Sequence, residues 1–430
     1  MMKEIGFGII FGMMSFATFA ATPFNGYIVK LKPGAAFINL HPFSSVVDVK
    51  KTLQTSFGTF VHLNLLGSVE NSFINQLSQN PDIEYIEPNY LISIERKETA
   101  EESPPPKDLS FKKQWGMKND GKNGILKGSG VAGEDINILR AWNITKGSTD
   151  IKIAVIDSGV DYTHPDLKDQ IDINQAELNG LPGVDDDENG YVDDIYGYDF
   201  ANKDGDPEDS NGHGTHCAGI IGASHNLLGI AGVMAKVKIV PIKFISDQGS
   251  GETIDAISSI DYAIKRGVRV MSNSWGSEEE EQSLQEAIVA AETAGITFVA
   301  AAGNNAADND VVKSFPANYK VSNVISVGAF TSSGVKSSFS NYGQKSVHVT
   351  APGTNILSTY KNGSFAPLSG TSMAAPHVAG IVGLLLSHEP DLSPLQIRER
   401  LVKTSTKNAK LNTASISGGR VDAYRALTNK

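Results

Sequence analysis

The sequence is poor in cysteine, since Cys217 is the only one in 430 residues. A single thiol cannot close a disulfide within the chain, so internal cross-links are excluded as a source of stability. Internal repeats are also absent, which argues against solenoid and propeller architectures. Glycine and proline contents are ordinary and 40% of the residues are apolar, so collagen-like and disordered classes are excluded. These features leave a globular protein with one or two buried cores.

Long apolar runs are missing after the first twenty-odd residues. There, Lys3 precedes an apolar run from Ile5 to Phe19, and small residues surround Ala20. This layout is typical of a secretory signal, which we predict at residues 1–20; a buried core helix is the alternative. No later run has the length of a membrane span. We therefore expect an exported product, extracellular or periplasmic, without a membrane partner.

Basic residues are outnumbered, with 37 Lys and Arg against 48 Asp and Glu, and the formal net charge is −11. A nucleic-acid partner is not expected for such a chain. Residues 181–210 hold eleven acidic residues and one basic residue, so almost the whole excess lies in one segment. This segment is either a solvated acidic loop or a cation site.

Two regions that differ in their pattern of predicted strands and helices follow the signal. Over residues 22–95, strand-like and helix-like stretches alternate and predict a small α+β, ferredoxin-like domain. Its strands are expected at 26–31, 60–66 and 83–90, and its helices at 46–57 and 71–79. Residues 96–110 are charged and proline-rich, which predicts a linker.

From residue 111 to 430, short apolar strands alternate with helices. This order predicts an α/β domain with a mostly parallel sheet and helices on both faces. In such a sheet, functional groups gather at the carboxyl ends of the strands. Ser277 and Glu280 have the spacing of a capping box, which predicts a helix over 279–294.

Four polar residues stand at the ends of these elements. Asp157 ends an apolar strand, His213 follows a glycine turn into a helix, Asn304 follows another strand, and Ser372 precedes an apolar run. Each alone could be a turn or capping residue. Together they supply a nucleophile, a base, a carboxylate to orient the base and an amide for an oxyanion, which is the set that acyl transfer to serine requires.

The blocks around these residues resemble those of the subtilisin-type (subtilase) serine peptidases. The resemblance runs over about residues 115–427 and includes Asp157-Ser158-Gly159, His213-Gly214-Thr215-His216, Ala302-Gly303-Asn304 and Gly370-Thr371-Ser372-Met373-Ala374-Ala375-Pro376. It implies Ser372 as nucleophile, His213 as general base, Asp157 as orienting carboxylate and Asn304 as oxyanion donor. His216 lacks the spacing of a zinc peptidase and is expected to be packed. Cys217 is either a buried bystander or a thiol close enough to the triad for mercurials to inhibit.

The resemblance also implies how a substrate binds. The substrate-binding residues are expected to be Gly249, Ser250 and Gly251 on one wall, Ser274, Trp275 and Gly276 on the other, and Ala302 and Gly303 at the floor of the pocket. These blocks hold small residues and no acidic residue, which favours a broad-specificity endopeptidase with an apolar preference before the cut. A specific processing peptidase and a calcium-dependent binding module are the alternatives. Protein or peptide substrates are the expected partners of a monomer.

Calcium is the expected cofactor. Asp185, Asp187 and Asn189 alternate before Gly190 like the start of an EF-hand loop; the twelfth position is a tyrosine, so Asp193 or Asp194 must replace the closing glutamate. A merely solvated loop is the alternative. The resemblance implies two further sites, one thermitase-like site at Asp199, Asp204 and Asp206, and another at Asp166 and Asn226.

Finally, the resemblance implies that the N-terminal domain is an inhibitory propeptide that assists folding. Its own protease would then remove it and leave an enzyme that starts near Gln114. A permanent accessory domain is the alternative.

Overall fold

The computed structural model describes residues 24–35, 47–55, 58–65, 70–90, 102–122 and 130–430. The chain divides into two compact units, residues 1–99 and 100–430. The predicted signal peptide lies outside the described residues. Within the described ranges, no helix is both long enough and apolar enough to cross a membrane.

The first unit contains a four-stranded antiparallel sheet and one helix among its described residues. These elements are β1 (Phe24–Leu31), β2 (Val47–Thr55), β3 (Gly58–Leu65), α1 (Glu70–Leu77) and β4 (Ile83–Tyr90). The strand order is β2-β3-β1-β4, so β1 lies between β3 and β4, which run in one direction and have α1 between them in the chain, as in a split β-α-β unit. Buried side chains that include Val29, Leu63 and Phe73 form its core. The predicted α+β class is confirmed.

The predicted helix over residues 46–57 is wrong, because these residues contribute strand β2. Val47 and Val49 alternate with polar residues, and they pair with Leu65 and Leu63 of β3. β-Branched residues at every second position favour a strand over a helix. The helix predicted over 71–79 is present as α1.

The second unit is built on a nine-stranded sheet of order β14-β15-β11-β10-β9-β8-β5-β7-β6. Its strands are β5 (Gly147–Asp157), β6 (Tyr198–Asp199), β7 (Lys236–Lys243), β8 (Val270–Asn273), β9 (Thr297–Ala301), β10 (Val324–Phe330), β11 (Val349–Pro352), β14 (Thr406–Lys407) and β15 (Gly419–Arg420). Strands β12 (Ile356–Tyr360) and β13 (Ser364–Leu368) form a separate hairpin. Only the β14–β15 pair of the large sheet is antiparallel. The predicted, mostly parallel α/β fold is confirmed.

Helices cover both faces of this sheet. They are α2 (Ile138–Ala141), α3 (Gln175–Asn179), α4 (His213–Gly222), α5 (Thr253–Lys265), α6 (Gln282–Thr293), α7 (Thr371–His388), α8 (Pro394–Thr404) and α9 (Ala423–Thr428). In β5, Ile153 and Val155 join the core that holds α4 and α7, whereas Ala154 and Ile156 join the core that holds α5 and α6. From Ile153 to Ile156 the strand is wholly apolar, because both of its faces are buried there.

The direction in which the strands are added reverses at β5. The chain passes from β5 to β7 on one side, and then to β8, β9 and β10 on the other. In open α/β sheets, such a reversal creates a crevice beyond the carboxyl ends of the strands. Asp157, the last residue of β5, lies at this crevice.

The predicted capping box before α6 is wrong. The helix begins at Gln282, and the residue that precedes it, Glu281, makes no side-chain capping bond. The Ser277 N–H donates to the carbonyl of Phe315 at 2.8 Å, and the Phe315 N–H donates back to the carbonyl of Ser277 at 2.8 Å. This tertiary pairing keeps Ser277 outside the helix.

Part of the predicted linker packs against the second unit. The Ser103 N–H donates to the carbonyl of Leu139 at 3.0 Å, and the Ser110 N–H donates to that of Gly229 at 2.7 Å. Ser103 and Asp108 are only 6% and 5% exposed. Residues 103–110 therefore belong to the folded second unit and are not a solvated linker.

Candidate active site

The fold brings the four residues with the chemistry of acyl transfer to one end of the sheet. Asp157 ends β5, His213 begins α4, Ser372 is the second residue of α7, and Asn304 follows β9. Both α4 and α7 start on the side where the parallel strands end. The sequence predicted these positions because each lies at the junction of an apolar element and a turn.

His213 and Asp157 are in direct contact. The Nδ1 atom of His213 lies 2.7 Å from Oδ1 of Asp157, which is 1% exposed. Burial lowers the pKa of His213, but the charges of Asp157 and Asp209 outweigh burial, and the net pKa is raised above the usual value. Asp157 therefore both orients the imidazole and stabilises its protonated form.

Asp209 fixes the turn that carries His213. Its carboxylate accepts hydrogen bonds from the backbone of Gly212 at 2.8 Å and of Thr215 at 2.9 Å, and from the Ser158 hydroxyl at 3.0 Å. These bonds satisfy N–H groups at the start of α4, which have no partner within the helix. Sequence reasoning missed Asp209, although it stands four residues before His213 in an acidic segment.

Ser372 lies where α7 begins, and its hydroxyl donates to the carbonyl of Ser274 at 3.2 Å. The Ser274 hydroxyl in turn donates to the carbonyl of Ser372 at 2.9 Å. Cys217 is buried on α4 one turn after His213, and its thiol contacts the same Ser372 carbonyl at 3.4 Å. Burial raises the pKa of this thiol, which keeps it protonated.

His216 is packed, as predicted. Its Nε2 atom lies 3.0 Å from the carbonyl of Ile356 and 3.1 Å from that of Ala366. Burial lowers its pKa to about 3, so the ring is neutral at all ordinary pH values. His216 therefore anchors α4 to the β12–β13 hairpin.

Two hydrogen-bond donors face a small space beside Ser372. The Oδ1 atom of Asn304 accepts a hydrogen bond from the Thr371 N–H at 2.8 Å. This bond fixes the orientation of the amide and leaves its Nδ2 group available to donate to another acceptor. A methyl group on Gly370 would lie 3.5 Å from the Ser372 nitrogen and 3.6 Å from Asn304 Nδ2. The missing side chain of Gly370 thus keeps open a space that two N–H donors border.

A pocket of about 340 Å³ opens next to Ser372 and Asn304. Its walls come from the segment after β8 and the end of β9, and its lining residues are Ser274, Trp275, Gly276, Ser277, Glu278, Ala301, Gly303, Asn304, Asn305, Ser314, Thr371 and Ser372. The Trp275 indole is fixed by a 3.0 Å hydrogen bond to the carbonyl of Ile156.

The sequence pattern of the Subtilase family matches residues 148–419. The chain belongs to the subtilase family. Thermophilic serine proteinase from Bacillus sp. (strain AK1) is 36% identical over 84% of this chain and 77% of its own length. Thermitase from Thermoactinomyces vulgaris is 39% identical over 68% of this chain and 94% of its own length.

Other relatives are longer. Subtilisin-like protease 1 from Plasmodium vivax is 40% identical over 64% of this chain, but the match covers only 47% of that relative. Among solved structures, a cold adapted subtilisin-like serine proteinase matches with a TM-score of 0.52 and 28% identity, over 75% of this chain and 97% of the other. The subtilase described here is a serine endopeptidase of this family.

The predicted substrate-binding residues of this subtilase do not all lie at the pocket. Ala302 is wholly buried and is not part of the lining, because an extended chain turns Ala301 and Gly303 to one side and Ala302 to the other. Residues 249–251 form an exposed turn after β7, held by a 2.8 Å bond from the Ser246 N–H to the carbonyl of Ser250. The Asn211 amide donates to the carbonyl of Asp247 at 3.1 Å, which joins this turn to the His213 segment.

The acidic loop of this subtilase gathers three carboxylates. Oxygen atoms of Glu177, Asp185 and Asp187 lie within 4.8 Å of one another. Glu177 comes from α3 and adds a carboxylate to the loop, whose twelfth position is a tyrosine. No local pattern in the sequence indicates this residue, because it lies eight positions before Asp185. Asn189 is in the loop, where its N–H donates to Asp185 at 3.1 Å.

Asp194 pairs with residues at the C-terminal end of α5. Its Oδ2 atom accepts from Arg266 at 3.0 Å and from the Tyr262 hydroxyl, and it is wholly buried. An ion pair with Arg266 already compensates its charge, which weakens the prediction of Asp194 as a calcium ligand.

The predicted site at Asp199, Asp204 and Asp206 is also not assembled. Asp199 is buried and pairs with Lys243, whose Nζ lies 3.3 Å away. The carboxylate of Asp204 caps the Asp206 N–H at 3.1 Å, and that of Asp206 accepts from the Tyr162 hydroxyl at 3.0 Å. In the described part of the chain, these three carboxylates do not converge within 4.8 Å.

Asp166 and Asn226 do converge, and Asp108 joins them. The Asn226 N–H donates to Asp108 at 3.1 Å, and its amide lies 3.4 Å from the carbonyl of Pro165. Asp166 is wholly buried, and its Oδ1 atom has no hydrogen-bond partner. Burial raises the pKa of Asp166, and the nearby charge of Asp108 raises it further. A divalent cation fits this site, since the carboxylates of Asp108 and Asp166 meet there and one oxygen of Asp166 has no hydrogen-bond partner.

Proposed function

We propose that this subtilase is an exported zymogen that hydrolyses proteins through an acyl-enzyme on Ser372. The observation that carries the proposal is the 2.7 Å contact between His213 and Asp157 in the crevice where Ser372 begins α7. Protein substrates of broad sequence, with an apolar preference before the cut, fit the small residues Gly276, Ala301 and Gly303 of the pocket.

In the proposed reaction, His213 donates its Nδ1 proton to Asp157 as a hydrogen bond, which leaves Nε2 free to accept a proton. The Ser372 hydroxyl gives its proton to Nε2 as its oxygen attacks the scissile carbonyl carbon. The charge that develops on the carbonyl oxygen enters the space beside Gly370, where the Asn304 amide and the Ser372 N–H donate to it. Protonated His213 then gives its proton to the leaving amine. Water, activated by the same imidazole, releases the acid product and restores the hydroxyl.

The free serine hydroxyl bonds to the carbonyl of Ser274, not to His213. Catalytic hydrogen bonds are often long or misaligned without substrate. We propose that a substrate strand that pairs with the Ser274–Gly276 wall displaces the Ser372 hydroxyl from the Ser274 carbonyl. The hydroxyl then donates its hydrogen bond to His213.

We propose that the unit over residues 1–99 is a propeptide that the enzyme removes. The packing of Ser103 and Asp108 on the second unit supports a cut before residue 103, rather than near Gln114. A later cut would remove Asp108 from its contact with Asn226.

N-terminal sequencing of the secreted protein tests this maturation. We expect a mature chain that begins before Ser103 and hydrolyses casein, while the Ser372→Ala variant, expressed alone in a protease-deficient host, keeps its N-terminal unit. A mature enzyme that begins at or after Gln114, or processing of the Ser372→Ala variant at the normal rate, would contradict the proposal.

We propose calcium as a structural cofactor at two places, near Asp166 and in the loop of Glu177, Asp185 and Asp187. Calcium supplies positive charge and many oxygen-ligand bonds there. In a chain without disulfides, ligands that bind only the folded state stabilise it by mass action.

Removal of calcium is expected to lower the melting temperature by about 5 °C or more, from a loss of roughly 2–3 kcal/mol at saturating calcium. Melting of the mature protein is measured in calcium and in EDTA. The Asp166→Asn variant should lose the part of the difference that its own site contributes, whereas Asp391→Asn, an exposed control, should keep the whole difference. A melting temperature that is unchanged by EDTA would refute both sites.

A further inference from the structure

The pocket beside Ser372 has one ionisable residue in its lining. The polar lining groups, such as Ser274, Asn305 and Ser314, are neutral, and apart from the Trp275 indole the apolar ones are small. Glu278 is the exception, and it stands at the exposed side of the pocket. Sequence reasoning expected no acidic residue here, because Glu278 lies two residues beyond the block Ser274-Trp275-Gly276.

The Glu278 carboxylate is not neutralised by the protein. It begins a run of four glutamates, residues 278–281. The nearby cation, Lys313, pairs with Glu280 at 3.3 Å, and Glu281 accepts from the Thr253 hydroxyl at 2.7 Å. In the part of the chain that the structure describes, no cation lies within ion-pair distance of Glu278. Its charge is therefore available to a ligand.

The backbone next to Glu278 is anchored. Ser277 exchanges two hydrogen bonds of 2.8 Å with Phe315, whose neighbour Ser314 also lines the pocket. The Phe315 ring is wholly buried in the core that holds α5 and α6. Glu278 thus projects from a fixed point of the pocket wall and not from a free loop.

We propose that Glu278 determines specificity among the long side chains that this pocket accepts, and that it favours lysine or arginine over uncharged side chains of similar length immediately before the scissile bond. The inference rests on the proposed function, because it names the substrate class of the same pocket. The apolar stem of a lysine or arginine packs against the walls at Ala301 and Gly303, and the cationic end reaches the carboxylate at the exposed side. Large apolar side chains still bind, but they gain nothing from Glu278.

The expected effect is moderate because the carboxylate is exposed. Ion pairs in contact with water change an equilibrium by a factor of roughly two to five, and salt screens them. Glu278 therefore adds a preference to a broad-specificity enzyme and does not make it strictly specific.

The test compares two peptides that differ only before the scissile bond, one with lysine and one with methionine, which has a similar length and no charge. The measured quantity is the ratio of kcat/KM for lysine to that for methionine. In Glu278→Gln we expect the ratio to fall about two- to fivefold, and in Glu278→Lys further, by about tenfold or more. Added NaCl should lower the ratio in the parent enzyme but not in Glu278→Gln.

Glu279→Gln is the matched control, because Glu279 is the next exposed acid of the run and does not line the pocket. The lower limit expected for such an ion pair is a change of roughly 1.5-fold. If the ratio changes by less than this in Glu278→Gln while the methionine peptide is still cleaved, the inference about Glu278 is overturned and the proposed function is not. An equal fall in Glu279→Gln would also overturn it, since the effect would then belong to the whole acidic run. Failure of the parent enzyme to cleave either peptide or casein would instead contradict the proposed function.

Discussion

Replacement of Ser372 by alanine is expected to lower kcat for peptide hydrolysis by a factor on the order of 10⁶. The change removes the oxygen that forms the acyl-enzyme, and no other group in the crevice can take its place. Cys217, the other nucleophilic side chain nearby, is buried, and its thiol is held against the Ser372 carbonyl. The measurement is the steady-state hydrolysis of a chromogenic peptide, together with covalent labelling by an organophosphonate, which should disappear.

The folded state should survive this change. The Ser372 hydroxyl makes one hydrogen bond, to the carbonyl of Ser274, so the loss of stability should be about 1 kcal/mol. Ser387→Ala is the control, because Ser387 lies at the far end of the same helix and its hydroxyl bonds to the carbonyl of Gly383. The control should keep full activity. Turnover by Ser372→Ala at even a tenth of the parental rate would rule out Ser372 as the nucleophile.

The second large effect is expected for Asp157→Asn, with kcat lower by about 10⁴-fold at neutral pH. An asparagine amide can offer its N–H₂ group to His213 Nδ1, which favours the tautomer that carries its proton on Nε2. That tautomer cannot accept the proton of Ser372. The expected loss is smaller than for Ser372→Ala, because the nucleophile and the oxyanion donors remain.

The same variant has a distinct pH signature. In the parent enzyme the pKa of His213 is raised, because the charges of Asp157 and Asp209 outweigh burial. Since the base must be neutral, kcat/KM rises with pH through a midpoint above 6.5. Loss of the Asp157 charge removes an interaction that raises the pKa of His213, so burial lowers this pKa. The midpoint of the pH profile should therefore move to lower pH, and the plateau value of kcat/KM should fall.

Asp150→Asn is the control for this experiment, because Asp150 is an exposed acid near the other end of β5. It should leave both the plateau and the midpoint unchanged. A midpoint of Asp157→Asn that stays in place or moves to higher pH would show that Asp157 does not face the imidazole in solution.

The sequence predicted which polar residues the fold brings together where the signal lies in short local blocks. Asp157, His213, Asn304 and Ser372 each lie in a short local block, and each block ends or begins an apolar element. The alternation of strands and helices is likewise a local pattern, and it predicted the parallel sheet and most of its elements. These patterns can be read from the sequence because burial on both faces of the sheet requires apolar residues in its strands.

What the sequence did not predict depends on partners that are distant along the chain. Glu177 and Asp108 complete carboxylate clusters from other segments, while Lys243 and Arg266 neutralise Asp199 and Asp194, which had the spacing of calcium ligands. Spacing identifies oxygen atoms that could bind a cation, but it does not tell whether an ion pair has already compensated their charge.

The capping box at Ser277 and the helix over residues 46–57 failed for a related reason. In both places a strand-like pairing with another segment replaced the local preference, with Phe315 in the first case and with β3 in the second. Local propensity is a weak term, and tertiary contacts override it readily.

The burial of α7 has a consequence for how this enzyme loses activity when heated. Every residue from Met373 to Leu386 is buried, and Asp157 ends a strand that is paired on both sides. Segments of this kind exchange their amide hydrogens only when most of the molecule opens. Local opening of surface loops therefore leaves Ser372 and Asp157 in their relative positions. We therefore expect the catalytic residues of the intact protein to stay assembled on heating until the molecule unfolds as a whole.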